Sequence, residues 1–198
     1  MPLMTDIREK LLDATAQVFA KLGYLGCTTR RVAQEAGVNE VTLFRHFGSK
    51  DTLIREALAH VERTTVTALP GDPKDPAAEL HAWAHEVYGN LSAQRVLIRR
   101  VIGETVERPE IAPVVCEGAQ GEHSVLRRYL EELRHRGLTG TDFSAEAVSS
   151  MLLGALFADA MMRDMMHPPL SVDELLREYV RQTLVTIGAV NTSTSGVA

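Results

Sequence analysis

Helical periodicity runs along almost the whole chain, and this feature removes most fold classes before any motif is considered. Ile7, Leu11, Ala14, Val18 and Leu22 recur at spacings of three and four, which places them on one face of a first helix that Gly23 can end. Strand signals are scarce. Aromatic residues are only 5% of the 198, no stretch alternates with period two, and no Asn-Gly or Asp-Gly pair joins alternating segments. The expected class is all-α.

Short helices with good caps follow the first. One starts at Thr28 or Thr29, whose hydroxyls can cap it, buries Val32, Ala33 and Ala36, and is broken by Gly37. Asn39 can cap the next, which runs to about Phe47. Ser49 can cap a fourth, with Leu53, Ala57 and Val61 on one face and an upper end near Leu69. The linker Leu69–Pro76, "LPGDPKDP", cannot continue a helix and marks a boundary between a domain over 5–65 and another over 70–190. In the second, helices are expected at about 76–91, 92–106, 113–136, 144–166 and 171–189, and the polar tail 191–198 is expected to be disordered. Val148, Met151, Leu152, Ala155, Leu156 and Met162 belong to a helix apolar almost all round, both sides of which should be buried. Val172, Leu176, Tyr179, Val180, Thr183, Leu184 and Ile187 line the next one. A homodimer through these two helices is the expected state.

Charge separates the two parts. Residues 1–63 carry nine basic and eight acidic side chains, net +1, whereas residues 64–198 carry twelve and eighteen, net −6. An acidic second part repels nucleic acid from everywhere except an N-terminal face. No basic n-region precedes an apolar run, and Asp159 interrupts the most apolar stretch, so no membrane partner is expected and the chain should stay in the cytoplasm.

That N-terminal face has the layout of a helix-turn-helix, two short helices joined at Gly37, with the second placed to enter the major groove. Val38, Leu43 and Phe47 should face the core, turning Glu40, Val41, Thr42, Phe44, Arg45 and His46 outward or to the flank. Arg45 can donate to guanine or phosphate, Thr42 offers a hydroxyl and a methyl, and Val41 can touch a thymine methyl. Thr28, Thr29 and Arg30 at one helix start, and Lys50 at another, are suited to hold phosphates.

The run "TTRRVAQEAGVNEVTLFRHFGSKDTL", preceded by "ATAQVFAKLGY", resembles the TetR family of one-component bacterial transcriptional regulators over nearly all of residues 5–65. Phe44 stands where the family usually has tyrosine, without a phenolic hydroxyl for a phosphate. The resemblance implies an all-α homodimer, a divergent ligand-binding second domain, and release of a palindromic double-stranded DNA operator when a small, hydrophobic effector binds. The four-helix bundle that the family makes from its last two helices agrees with the apolar stretches read above.

Trp83, His85, Tyr88, Met151, Phe157, Met161 and Met162 supply the bulky side chains from which such a ligand site can be drawn, although helical spacing alone explains them as core. No cofactor or metal is expected. His81 and His85 lack a third ligand, and in "MMRDMMHPP" Met161 and Met165 stand a helical turn apart near His167 while Met162 and Met166 point elsewhere and no cysteine lies near in sequence. Cys27 and Cys116 share no ligand spacing; as buried thiols they are small hydrophobes, and a redox-responsive or ligand-independent DNA-binding protein is the alternative reading. Nucleophile elbows, HExxH and phosphate-binding glycine loops are all missing, so the chain is not expected to be an enzyme.

Overall fold

The computed structural model describes residues 7–109, 112–166 and 168–189, apart from the side chains of 62–65 and 112–119, and so leaves out the expected tail. The described residues form helices with no strands: α1 Ile7–Gly26, α2 Thr29–Glu35, α3 Glu40–Phe47, α4 Lys50–Thr65, α5 Pro76–Ala93, α6 Arg95–Glu107, α7 Ala112–His135, α8 Ala145–Met166 and α9 Val172–Thr186. The all-α expectation holds.

Capping explains where the short helices begin. Thr28 accepts from the N–H of Arg31 (3.3 Å), Asn39 Oδ1 from that of Val41 (2.8 Å) and Ser49 Oγ from that of Thr52 (3.1 Å). Between α2 and α3 the chain turns at Gly37, whose φ of 67° a side chain would strain. Ser171 and Glu174 close a capping box on α9, a Ser-x-x-Glu pattern legible in the sequence.

The chain divides into two compact units, Met1–Val66 with Ala93–Gln120, and Thr67–Ser92 with Gly121–Ala198. This departs from the boundary expected near residue 70, because α6 packs on α1 and Val101 joins the N-terminal core of Leu11, Phe19, Val32, Leu43, Phe47 and Leu53. Composition gave no warning: residues 93–120 hold four basic and four acidic side chains and leave the charge division unchanged. The face expected for α1 also shifts. Ile7 and Leu22 are 45% and 48% exposed, and Leu12, Thr15 and Phe19 are buried in their place. The regular helix is interrupted at Gly23 as expected, where φ is 66° and ψ −173°, and a short further turn carries α1 on to Gly26, while α4 stops at Thr65, short of Leu69.

In the second unit Trp83 is buried with its indole N–H donating to the Thr67 carbonyl (3.2 Å), and Tyr129 donates to Glu79 (2.5 Å). By length and composition α8 is apolar enough to cross a membrane. It nevertheless holds Asp159, which accepts from Tyr88 (2.8 Å) and pairs with Arg163 (2.7 Å). Leu152, Leu156 and Ala160 of α8 are buried, as are Leu176, Val180, Leu184 and Ile187 from α9 onward. The other side of α8, expected to be buried too, is open in one chain: Met151, Phe157, Met162, Met165 and Met166 are exposed.

Candidate nucleic-acid interface

The reading face is built from the burial split of α3. Leu43 and Phe47, four apart, are buried in the N-terminal core, and Val38 packs against that core from the turn. Helical geometry then forces the remaining residues outward. Val41 is 72% exposed, Phe44 is 46% exposed, Arg45 and His46 are open, and Thr42 is half-buried. A methyl pair, an aromatic edge, a guanidinium and an imidazole on one short helix can meet thymine methyls, guanine edges and phosphates without rearrangement.

Two outward candidates are already committed to each other. The Thr29 hydroxyl donates to the Glu40 carboxylate, tying the start of α2 to the start of α3. Glu40 also lies in the first turn of α3, where a negative charge suits the helix dipole. Its placement therefore has a structural cause independent of any base. At the neighbouring start of α2, Thr28 is exposed and uses an oxygen lone pair for its cap, so its O–H remains a donor, and Arg30 is exposed beside it.

Lys50 is held more firmly than the sequence suggests. Its ammonium donates to the Tyr24 carbonyl (2.6 Å) and lies 4.0 Å from the Tyr24 ring centroid, which leaves further N–H groups for a phosphate. Sequence reasoning missed Tyr24 as its holder, since the two are far apart along the chain. Also unforeseen is Arg8, whose guanidinium pairs with Glu56 and sits 5.4 Å from the Phe47 ring.

The bulky residues considered for a ligand site do not share one environment. Trp83, Tyr88 and Met161 are buried, the first two with their polar atoms bonded to Thr67 and Asp159. Met151, Phe157 and Met162 lie on the exposed side of α8, and His85 is exposed. A groove of about 320 Å³ in this unit is lined by other residues, Leu69, Pro70, Val125, Arg128, Tyr129 and Glu132 among them. Among the described residues no three His, Cys, Asp or Glu side chains converge as metal ligands; His81 faces Asp173 at 3.8 Å, and His167 lies outside the described residues. Cys27 is buried, and burial pushes its thiol up to about 11, so it stays protonated and unreactive near neutrality. The Cys116 side chain lies outside those described.

Comparison with known proteins agrees with this geometry. Residues 11–57, from within α1 to within α4, match the family described as bacterial regulatory proteins, tetR family. Over 143 residues the chain is 26% identical to the uncharacterised HTH-type transcriptional regulator YvkB of Bacillus subtilis, covering 72% of this chain and 76% of that one. It is 28% identical over 187 residues to the class D tetracycline repressor protein of Escherichia coli, covering 89% and 78%. The crystal structure of a TetR transcriptional regulator from Agrobacterium tumefaciens superposes with a TM-score of 0.73 at 20% identity, over 93% of this chain and 96% of that one, a likeness of fold. Residues 11–57 thus match the tetR family of bacterial regulatory proteins, the curated relatives similar to most of the chain are named as HTH-type transcriptional regulators and repressors, and the fold is shared with a TetR regulator along nearly the whole chain.

Proposed function

We propose that the chain acts in the cytoplasm as a homodimeric repressor that grips an imperfect palindrome with two copies of α3 and lets go when a small hydrophobic molecule binds its second unit. The observation that carries the DNA half is the outward row Val41, Phe44, Arg45 and His46, fixed by inward Leu43 and Phe47 and flanked by Thr28, Arg30 and Lys50. In this reading Thr42 and Glu40 flank the row, Thr29 braces it, and 5–65 form the DNA-binding part. The open methionine side of α8, together with α9, supports pairing of two chains through those helices. Unit two, Thr67–Ser92 with Gly121–Ala198, is where the effector binds, and a relative named for both tetracycline and repression favours that sense of control. The effector wall is drawn from Met151, Phe157 and Met162 where they meet the partner copy, with Trp83, Tyr88 and Met161 behind them as packing.

A two-fold axis relating the two α3 helices demands half-sites on one side of the duplex, roughly 34–36 Å or a multiple apart. Footprinting of the chain's own upstream region and neighbouring promoters at low salt should show a discrete protected palindrome; uniform or absent protection would reject the proposal. An inducer must also bind free dimer better than operator-bound dimer. Linkage sets the ratio equal to the loss of operator affinity that it causes, about 5- to 150-fold in the usual allosteric range. Calorimetric titration giving equal affinities would show that a candidate ligand is no inducer.

A further inference from the structure

The last turn of α1 holds a cluster that neither the α3 row nor the α8 face explains. Tyr24 uses each of its polar groups. Its N–H donates to Glu104 Oε1 (2.9 Å), its carbonyl accepts from Lys50 Nζ (2.6 Å), and its hydroxyl is bonded to the Asp51 carboxylate. Two cations flank its ring, Lys50 Nζ at 4.0 Å and the Arg108 guanidinium at 3.6 Å from the centroid. Glu104 and Arg108 lie on and just past the end of α6, while Lys50 and Asp51 open α4. Gly23 makes the approach possible: its φ is 66°, and a Cβ there would lie 2.3 Å from Glu104 Oε1.

We propose that Tyr24 is a positioning residue for the DNA contact of Lys50, and that Glu104 and Arg108 place its setting under the control of α6. The proposal rests on the DNA-binding reading above. A lysine on a four-carbon stem samples many rotamers; a carbonyl and a ring face hold this one ready, so less order is lost when a phosphate arrives. Arg108 on the same ring brings a second positive charge to that corner, and the phenol keeps Asp51 engaged beside it. The ring contacts survive only within about 6 Å. An α6 displacement that withdraws Arg108 and Glu104 therefore frees Tyr24, and Lys50 with it.

A double-mutant cycle in the full-length dimer tests this. Tyr24→Leu and Arg108→Gln are each measured with Lys50 present and in a Lys50→Ala background, on a duplex carrying the chain's upstream region and on a random duplex, across salt. With Lys50 present, Tyr24→Leu should weaken binding about 5- to 20-fold and Arg108→Gln about 3- to 10-fold, each with a shallower salt slope; without Lys50 both losses should shrink below about twofold. Equal losses in the two backgrounds overturn the proposal, since Arg108 would then be a phosphate contact of its own and Tyr24 a packing residue. Should Tyr24→Leu fail to fold, Arg108→Gln, at a helix end, carries the same cycle alone. If the unaltered protein binds no duplex, the DNA reading itself fails and takes this inference with it; additive losses in a protein that binds well sink only the inference.

Discussion

Helices α3 and α8 both leave apolar side chains in solvent, and their neighbours separate the two surfaces. On α3, Val41 and Phe44 are interleaved with Arg45 and His46 and flanked by Thr28, Arg30 and Lys50, a mixture that matches the edges and backbone of a duplex. On α8, Met151, Phe157, Met162, Met165 and Met166 are exposed along one helix whose ion pair, Asp159 with Arg163, is turned inward. Soft, adaptable side chains with one exposed acid, Asp164, and no exposed cation among them suit a second protein surface rather than a polyanion. Exposure alone thus says little about use; the polar groups between the apolar ones decide it.

Substitutions can break that contrast. The largest effect is expected from Met151→Glu combined with Phe157→Glu, which puts carboxylates from two copies onto one closed face. Unpaired buried charge costs about 3–5 kcal/mol, so sedimentation should show monomers and palindrome binding should collapse. Val41→Glu should leave the dimer mass untouched and abolish binding only through α3. If both variants stay dimeric, α8 is not the pairing surface.

A smaller effect separates readers from anchors. Arg45→Ala should cost about 1–3 kcal/mol on the operator and relax its specificity, whereas Lys50→Ala should weaken all sequences alike and reduce the salt slope by about one. Equal losses for both variants on operator and random duplex would make Arg45 one more phosphate contact. Smallest is Asn39→Ala, which removes the cap at 2.8 Å and should lower thermal stability of the N-terminal unit by about 1 kcal/mol without changing dimer mass. No change in melting would mean that the turn at Gly37 holds the start of α3 unaided.

Local patterns were the readable part of this chain. Thr28, Asn39 and Ser49 are caps because a short oxygen side chain followed by helical spacing leaves few alternatives, and the inward Leu43 and Phe47 follow from a four-residue interval. Tertiary choices were not readable. Ile7 and Leu22 have the right spacing but lie beyond the reach of the neighbouring helices, while Leu12 and Phe19 meet them. Trp83 and Tyr88 suit a pocket wall or a core equally well in the sequence, because bulk and a polar tip serve either purpose, and their burial with bonds to Thr67 and Asp159 is a tertiary fact that spacing does not encode. Tyr24 gathers partners from 26 positions away, at Lys50, to 84, at Arg108 (108 − 24), a distance no periodicity spans.

The membership of α6 in the N-terminal unit has a consequence for biosynthesis. Residues up to Val66 leave the ribosome first, yet Val101 and the α6 surface against α1 are still unmade. At about 5–20 residues per second, the segment through Gln120 takes roughly 3–10 s more to appear. During that interval the nascent head lacks one wall of its core and the clasp around Tyr24. A ribosome must therefore synthesise the first stretch of the second unit, Thr67–Ser92, before Val101 can complete the core of the first.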